Sequence, residues 1–242
     1  MESLLRTAYE NLCSEDVRTV KVGLRQAESV VFQVSKPTEE NRVPLSIFLK
    51  LQESFLYNLT TPCLQAFGQL VKVHYEAVQA QDADTETLVC KLLCDILHVM
   101  EGLVLLHPPS QLCYNSEAVL DLFGRLLRVS QPVTLQVAAV KTLVCVMVDR
   151  PIVMRAFERI GGLARVCMLF KNKQTHQQTK LQALEFFYFY LSPEPYTLEH
   201  EPYRKTRTEK QAYLSTFLSN VDGLRKDLDT FQPFGRLDES HD

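Results

Sequence analysis

Apolar residues recur with helical spacing along nearly the whole chain. Val17, Val20, Leu24, Ala27, Val31 and Val34 step by three or four, which puts all six on one stripe of a helix. Ser14 is placed to cap its start and Lys36-Pro37 to end it, after a shorter helix over residues 2–12. A second pattern runs from Val43 to about Val78 through Leu45, Phe48, Leu49, Leu51, Phe55 and Leu56. It breaks at Thr60-Thr61-Pro62 and restarts at Leu64 with Phe67, Leu70, Val71 and Val73. Gln79–Thr87 is polar and predicts a loop. The next helix, about 85–106, is apolar on most sides and is expected to be central; His107-Pro108-Pro109 stops it.

A helix over about 116–129 follows, with Val119, Leu122, Phe123, Leu126 and Leu127 facing in. Pro132 opens another, with Val133, Val137, Val140 and Val144 on one stripe, and Pro151 opens a short one over Ile152–Glu158. Proline suits a first helical turn, where its missing N–H costs nothing. Gly161-Gly162 turns the chain into Leu163–Phe170, and a helix over about 175–191 carries Leu181, Leu184, Tyr188 and Leu191. No set of spaced segments alternates with period two, so the chain reads as all-α. Such helices pack as a bundle or as a solenoid. The order from Pro132 to Phe170, apolar helix, short helix, Gly-Gly corner, apolar helix, resembles an armadillo repeat and favours an armadillo/HEAT-like solenoid. The expected organisation is one domain: a helical body over 1–191, a Pro-rich charged linker or surface loop over 192–209, a helical segment packed on the body over 210–235, and a flexible tail over 236–242.

Composition narrows the function classes. Of 242 residues 46% are hydrophobic and only 8 are Gly, which supports a real helical core. The net charge is −3, and its excess lies beyond position 191, with seven basic against ten acidic residues. The body is neutral and has no basic run to neutralise a row of phosphates, so nucleic acid is not an expected partner. The seven Cys (13, 63, 90, 94, 113, 145, 167) are odd in number and mostly in apolar stretches, which reads as reduced, buried thiols. Met1-Glu2-Ser3 is acidic and polar, without a basic n-region, so a signal peptide is not expected. The longest apolar stretch, Leu88–Leu106, is interrupted by Lys91, Asp95, His98 and Glu101, so no membrane insertion is expected.

Candidate chemistry is sparse. Cys90, Cys94 and His98 share a helix face, but their Leu and Ile flanks favour core thiols over zinc. Asp82, Asp84 and Glu86 imitate the start of a calcium loop, but Thr87 and Leu93 stand where Gly and Glu are needed, so an acidic helix start is preferred. There is no phosphate-binding glycine loop, no HExxH, no GxSxG and no Cys followed six positions on by Arg. Neither cofactor nor metal is expected. Arg150 and Arg155 are conceivable arginine fingers of an all-α regulator, although surface arginines at a helix start are commoner.

Two segments suit a partner instead. Phe186-Phe187-Tyr188-Phe189-Tyr190 points aromatics in every direction, which fits either a helix buried all round or an outward anchor, with Tyr188 and Tyr190 the candidates and Glu185 beside them. In Leu49–Asn58, Lys50, Gln52, Glu53 and Tyr57 flank the apolar stripe; Lys50, Glu53 and Tyr57 are the candidate contacts against a plain solvated face.

Glu15–Val34, Phe48–Asn58, Leu181–Glu194 (LQALEFFYFYLSPE) and Asn220–Gly235 together resemble, in order and over nearly the whole chain, the fungal cell division control protein 14 family, the septation initiation network component. This is not the phosphatase that shares the name. The resemblance implies a non-catalytic subunit that binds and activates a germinal-centre (sterile-twenty-like) protein kinase in cytokinesis. It also implies a cytoplasmic protein recruited to the spindle pole body. An adaptor that only localises the kinase is the alternative. Self-association in the absence of the kinase is a further expectation.

Overall fold

The computed structural model describes residues 1–231 except 37, 55 and 198–200, with side chain 201 also left aside. The expected roles of Pro37 and Phe55, the Pro233-Phe234-Gly235 motif and the tail over 236–242 lie outside the described residues. The described residues hold twelve α-helices, three short 3-10 helices and no strand. The chain divides into two compact units, Met1–Tyr114 and Asn115–Asp242.

The first unit contains α1 (Glu2–Leu12), α2 (Val17–Val34), α3 (Arg42–Gln52), α4 (Thr60–Ala80) and α5 (Ala83–Leu106), with a 3-10 segment over Pro108–Tyr114. The α2 stripe is in the core: Val20, Leu24, Ala27, Val31 and Val34 are buried. The cap of α2 is not Ser14 but Asp16, whose carboxylate accepts from the Arg18 and Thr19 amides at 3.3 and 3.0 Å. Ser14 instead accepts from the Asp16 amide. The expected break at Thr60–Pro62 is the start of α4. Residues 53–59 make the real interruption, and Pro62 sits in the first turn, where no N–H is required. The expected loop over 79–87 shrinks to two residues because Gln81 takes a left-handed φ of 57° as the C-cap of α4 and Asp82 already caps α5. As expected, α5 is widely covered, packing on α4, α2 and the 3-10 segment.

The second unit contains α6 (Glu117–Leu126), α7 (Val133–Met147), α8 (Pro151–Arg159), α9 (Gly162–Lys171), α10 (Gln177–Leu191), α11 (Arg207–Ser215) and α12 (Val221–Phe231). The order apolar α7, short α8, corner, α9 is as the sequence suggests. Gly161 supplies the corner with φ 71°, a region L side chains avoid. Helix α10 is the hub, packing against α7, α9, α11 and α12. That environment uses the aromatic surplus: Phe186 stacks edge-on with Phe157 at 6.0 Å and Phe187 with Phe170 at 5.4 Å. Of these, the fully buried Phe157, Phe186 and Phe187 each contribute about 2–3 kcal/mol of transfer free energy.

Two expected faces are corrected. On α10 the core face is Thr179, Ala183, Phe186, Phe187 and Tyr190, with Leu191 buried as expected, whereas Leu181 is 55% exposed. On α7 it is Leu135, Ala139, Leu143, Val146 and Met147; Val140 is buried as expected, but Val133, Val137 and Val144 are only half-buried. Both helices are apolar nearly all round, so periodicity singles out no face.

Candidate partner-binding surfaces

In the first unit, Lys50 and Glu53 are exposed and Tyr57 is half-buried. Val43, Ile47 and Lys50 follow i, i+4, i+7 spacing and share one outward face of α3, with Val43 67% and Ile47 44% exposed. The turn after α3 is organised by Gln52, read from the sequence as a surface residue but buried here. Its Oε1 accepts from the Leu59 amide at 2.9 Å, its Nε2 donates to the Tyr57 carbonyl at 3.3 Å, and its own carbonyl accepts from Asn58 Nδ2 at 2.6 Å. This turn presents Leu56, 67% exposed, and Tyr57 beside Arg6, Tyr9 and Glu10 of α1 around a cavity of about 400 Å³. Arg6 and Glu10 form an exposed i,i+4 pair there.

In the second unit, Glu185 is exposed and accepts from Gln182 Nε2 at 2.8 Å, and Tyr188 is half-buried. Burial, and then the Asp227 carboxylate, raise the Tyr188 hydroxyl above its ordinary value, so it presents a neutral phenol. Tyr190 is corrected: it is 1% exposed and offers no surface to a partner. Its hydroxyl donates to Glu158 Oε1 at 2.7 Å, and burial followed by that carboxylate pushes it far up, so it remains a donor. The two groups of candidates therefore belong to different units, with Lys50, Glu53 and Tyr57 in one and Glu185 and Tyr188 in the other.

The most densely connected polar group was missed from the sequence. Arg155 Nη2 lies 2.8 Å from Glu194 and 3.1 Å from Glu158. Lys205 Nζ reaches Glu158 at 2.7 Å, the Lys205 amide donates to Glu194 at 3.0 Å, and Lys210 Nζ stands 3.4 Å from Glu194. Arg155, Glu158, Glu194 and Lys210 are all buried. Arg155 is thus no arginine finger but the centre of an ion network joining α8, α10, α11 and the chain between the last two. The one hint in sequence was Arg155 and Glu158 at i,i+3 on a short helix that is otherwise apolar up to Arg159. Arg150 is half-buried at the α7–α8 corner, after Asp149 with φ 55°. It lines a cavity of about 290 Å³ with Val144, Met147, Met154, Phe189, Pro193 and Pro195.

All seven cysteines are free thiols, but only Cys63 and Cys167 are fully buried, and Cys113 is exposed. Cys90 Sγ lies 3.5 Å from His74 Nδ1, and His98 Nδ1 faces the Cys94 carbonyl at 2.9 Å. Among the described residues no group of three or more His, Cys, Asp or Glu side chains converges as a metal set would. The acidic start at 82–86 is a helix cap, with Asp82 accepting from the Thr85 amide at 3.1 Å. Among the described residues no helix is long and apolar enough to cross a membrane.

Fold and surfaces together define an all-helical protein whose most distinctive side chains are either exposed apolar groups or members of an internal ion network. The chain belongs to the family described as cell division control protein 14, SIN component, whose model matches residues 35–204. It is 55% identical to cell division control protein 14 of Schizosaccharomyces pombe over 242 residues, covering the whole of both chains. No solved structure matches it.

Proposed function

We propose that this chain is a non-catalytic scaffold subunit that binds and activates a germinal-centre (sterile-twenty-like) protein kinase in the septation initiation network. The observation that carries the reading is the end-to-end relationship to the fission-yeast SIN component. The surfaces suit it: Val43, Ile47, Lys50, Leu56 and Tyr57 in one unit, and Leu181, Glu185 and Tyr188 in the other, offer apolar anchors beside charged groups. In this reading the helices stack as armadillo-like repeats and contribute contact area, while the kinase performs the chemistry. Activation works by population shift. A scaffold that prefers the active kinase arrangement by about 3 kcal/mol changes the ratio of states more than 100-fold. Cytoplasmic residence with recruitment to the spindle pole body follows from the same reading.

The test is a pull-down of the kinase with the purified chain, together with kinase assays with and without it. Complex formation with a raised rate supports the proposal. Binding without a rate change leaves an adaptor that only localises the kinase, and turnover of a substrate by the chain alone overturns the non-catalytic reading.

A further inference from the structure

Between α10 and α11 the chain contributes almost nothing apolar to the core. Among the described residues of 192–206, Glu194 alone is buried, at 6% exposure, and it is a carboxylate. Its Oε1 takes Arg155 at 2.8 Å and Lys210 at 3.4 Å, and its Oε2 takes the Lys205 amide at 3.0 Å. Pro193, Glu194 and Pro195 form one wall of the cavity whose other walls include Met147, Met154 and Phe189. An apolar strap would be held by the hydrophobic effect. This one is held by charge, and removing one partner of a buried pair leaves an uncompensated charge behind.

The geometry points to 192–197 as a charge-locked strap: a releasable wall over the Met154–Phe189 cavity, fastened by the Glu194 carboxylate on Arg155 and Lys210. Glu158 still holds two of the neighbouring cations when Glu194 leaves, Arg155 at 3.1 Å and Lys205 at 2.7 Å, while the buried Lys210 loses its carboxylate. Release therefore need not unfold α8 or α10, and it exposes the thioether of Met154, 4% exposed when the strap is closed. The inference stands whatever partner the protein takes.

The test is peptide-mapped oxidation of the full chain by dilute hydrogen peroxide, comparing wild type with Glu194→Gln. Met168, 63% exposed, serves as the accessible control, and Met100, fully buried in the first unit, reports global unfolding. The expected result is that Met154 oxidises at least ten-fold faster in the variant, with Met168 and Met100 unchanged. Trypsin cleavage after Arg204 and Lys205 should accelerate in parallel, since release of the strap carries the acceptor away from the Lys205 amide. An unchanged Met154 rate overturns the proposal, as does a rise of Met100 and Met154 together. Should Glu194→Gln fail to fold, Lys210→Met removes one fastening from the other side, and the same local pattern is required of it.

Discussion

Tyr190→Phe separates a ring that serves the core from one that serves a partner. The substitution keeps the ring's shape, so no sizeable cavity opens around a side chain that is 1% exposed. It removes one bond, the 2.7 Å donation to Glu158 Oε1. Glu158 keeps Lys205 at 2.7 Å and Arg155 at 3.1 Å, so the carboxylate is weakened in its support but not orphaned. A hydrogen bond to a charged group is worth about 1.5–3 kcal/mol. For a chain of this size each kcal/mol moves Tm by about 2–4 °C, which gives a fall of roughly 4–8 °C near the middle of both ranges. Circular dichroism at 222 nm measures the melt, and a kinase pull-down well below the transition measures binding. Tyr190→Phe should melt early and bind as wild type. Tyr188→Ala should weaken binding, with a stability loss of about 1–2 kcal/mol, since its side chain is only partly buried. A Tyr190→Phe protein that melts with wild type yet loses its partner would refute the assignment of Tyr190 to the buried network.

At the α8–α9 corner, Gly161→Ala should cost about 1–2 kcal/mol in urea unfolding from its φ of 71° alone. Gly162→Ala should cost about 1–3 kcal/mol, because the new Cβ would clash with the buried Phe157 ring; a gain in stability from helix propensity would contradict this packing. Burial pushes the Cys63 and Cys167 thiols up to about 12 and Cys90 up to about 11. Cys113, raised by local burial but exposed as a residue, should therefore react first with iodoacetamide at pH 8 and Cys63 last; equal rates in peptide maps would count against it. Burial also lowers His107, against the opposing pull of Glu53, while its Nδ1 pairs with the Ser110 hydroxyl at 2.8 Å. With the folded value below the ordinary 6.5, its contribution is complete above that pH and is lost as pH falls through the lowered value. Tm should thus drop between pH 7.5 and 5.5, and His107→Gln should flatten that slope; an unchanged slope would assign it to other groups.

What the sequence determined by itself is local in origin. Pro132 and Pro151 open helices, Gly161 turns the corner and His107-Pro108 closes α5, because the steric rules for these residues act within one turn of chain. The α2 stripe was readable because polar residues fill the rest of that helix. The family was readable too, from ordered segments rather than from any active-site motif. Tertiary structure alone decided the facing of α7 and α10, since helices apolar on most sides have no preferred stripe until neighbours surround them. It decided that Tyr190 points inward while Leu181 points out. It also brought Arg155, Glu158, Glu194, Lys205 and Lys210 together across some fifty positions, where no spacing rule reaches. Charges far apart in the chain attract only weakly through water and strongly once folding brings them together away from it, so their partnership is a product of the fold and cannot be spelled in the sequence.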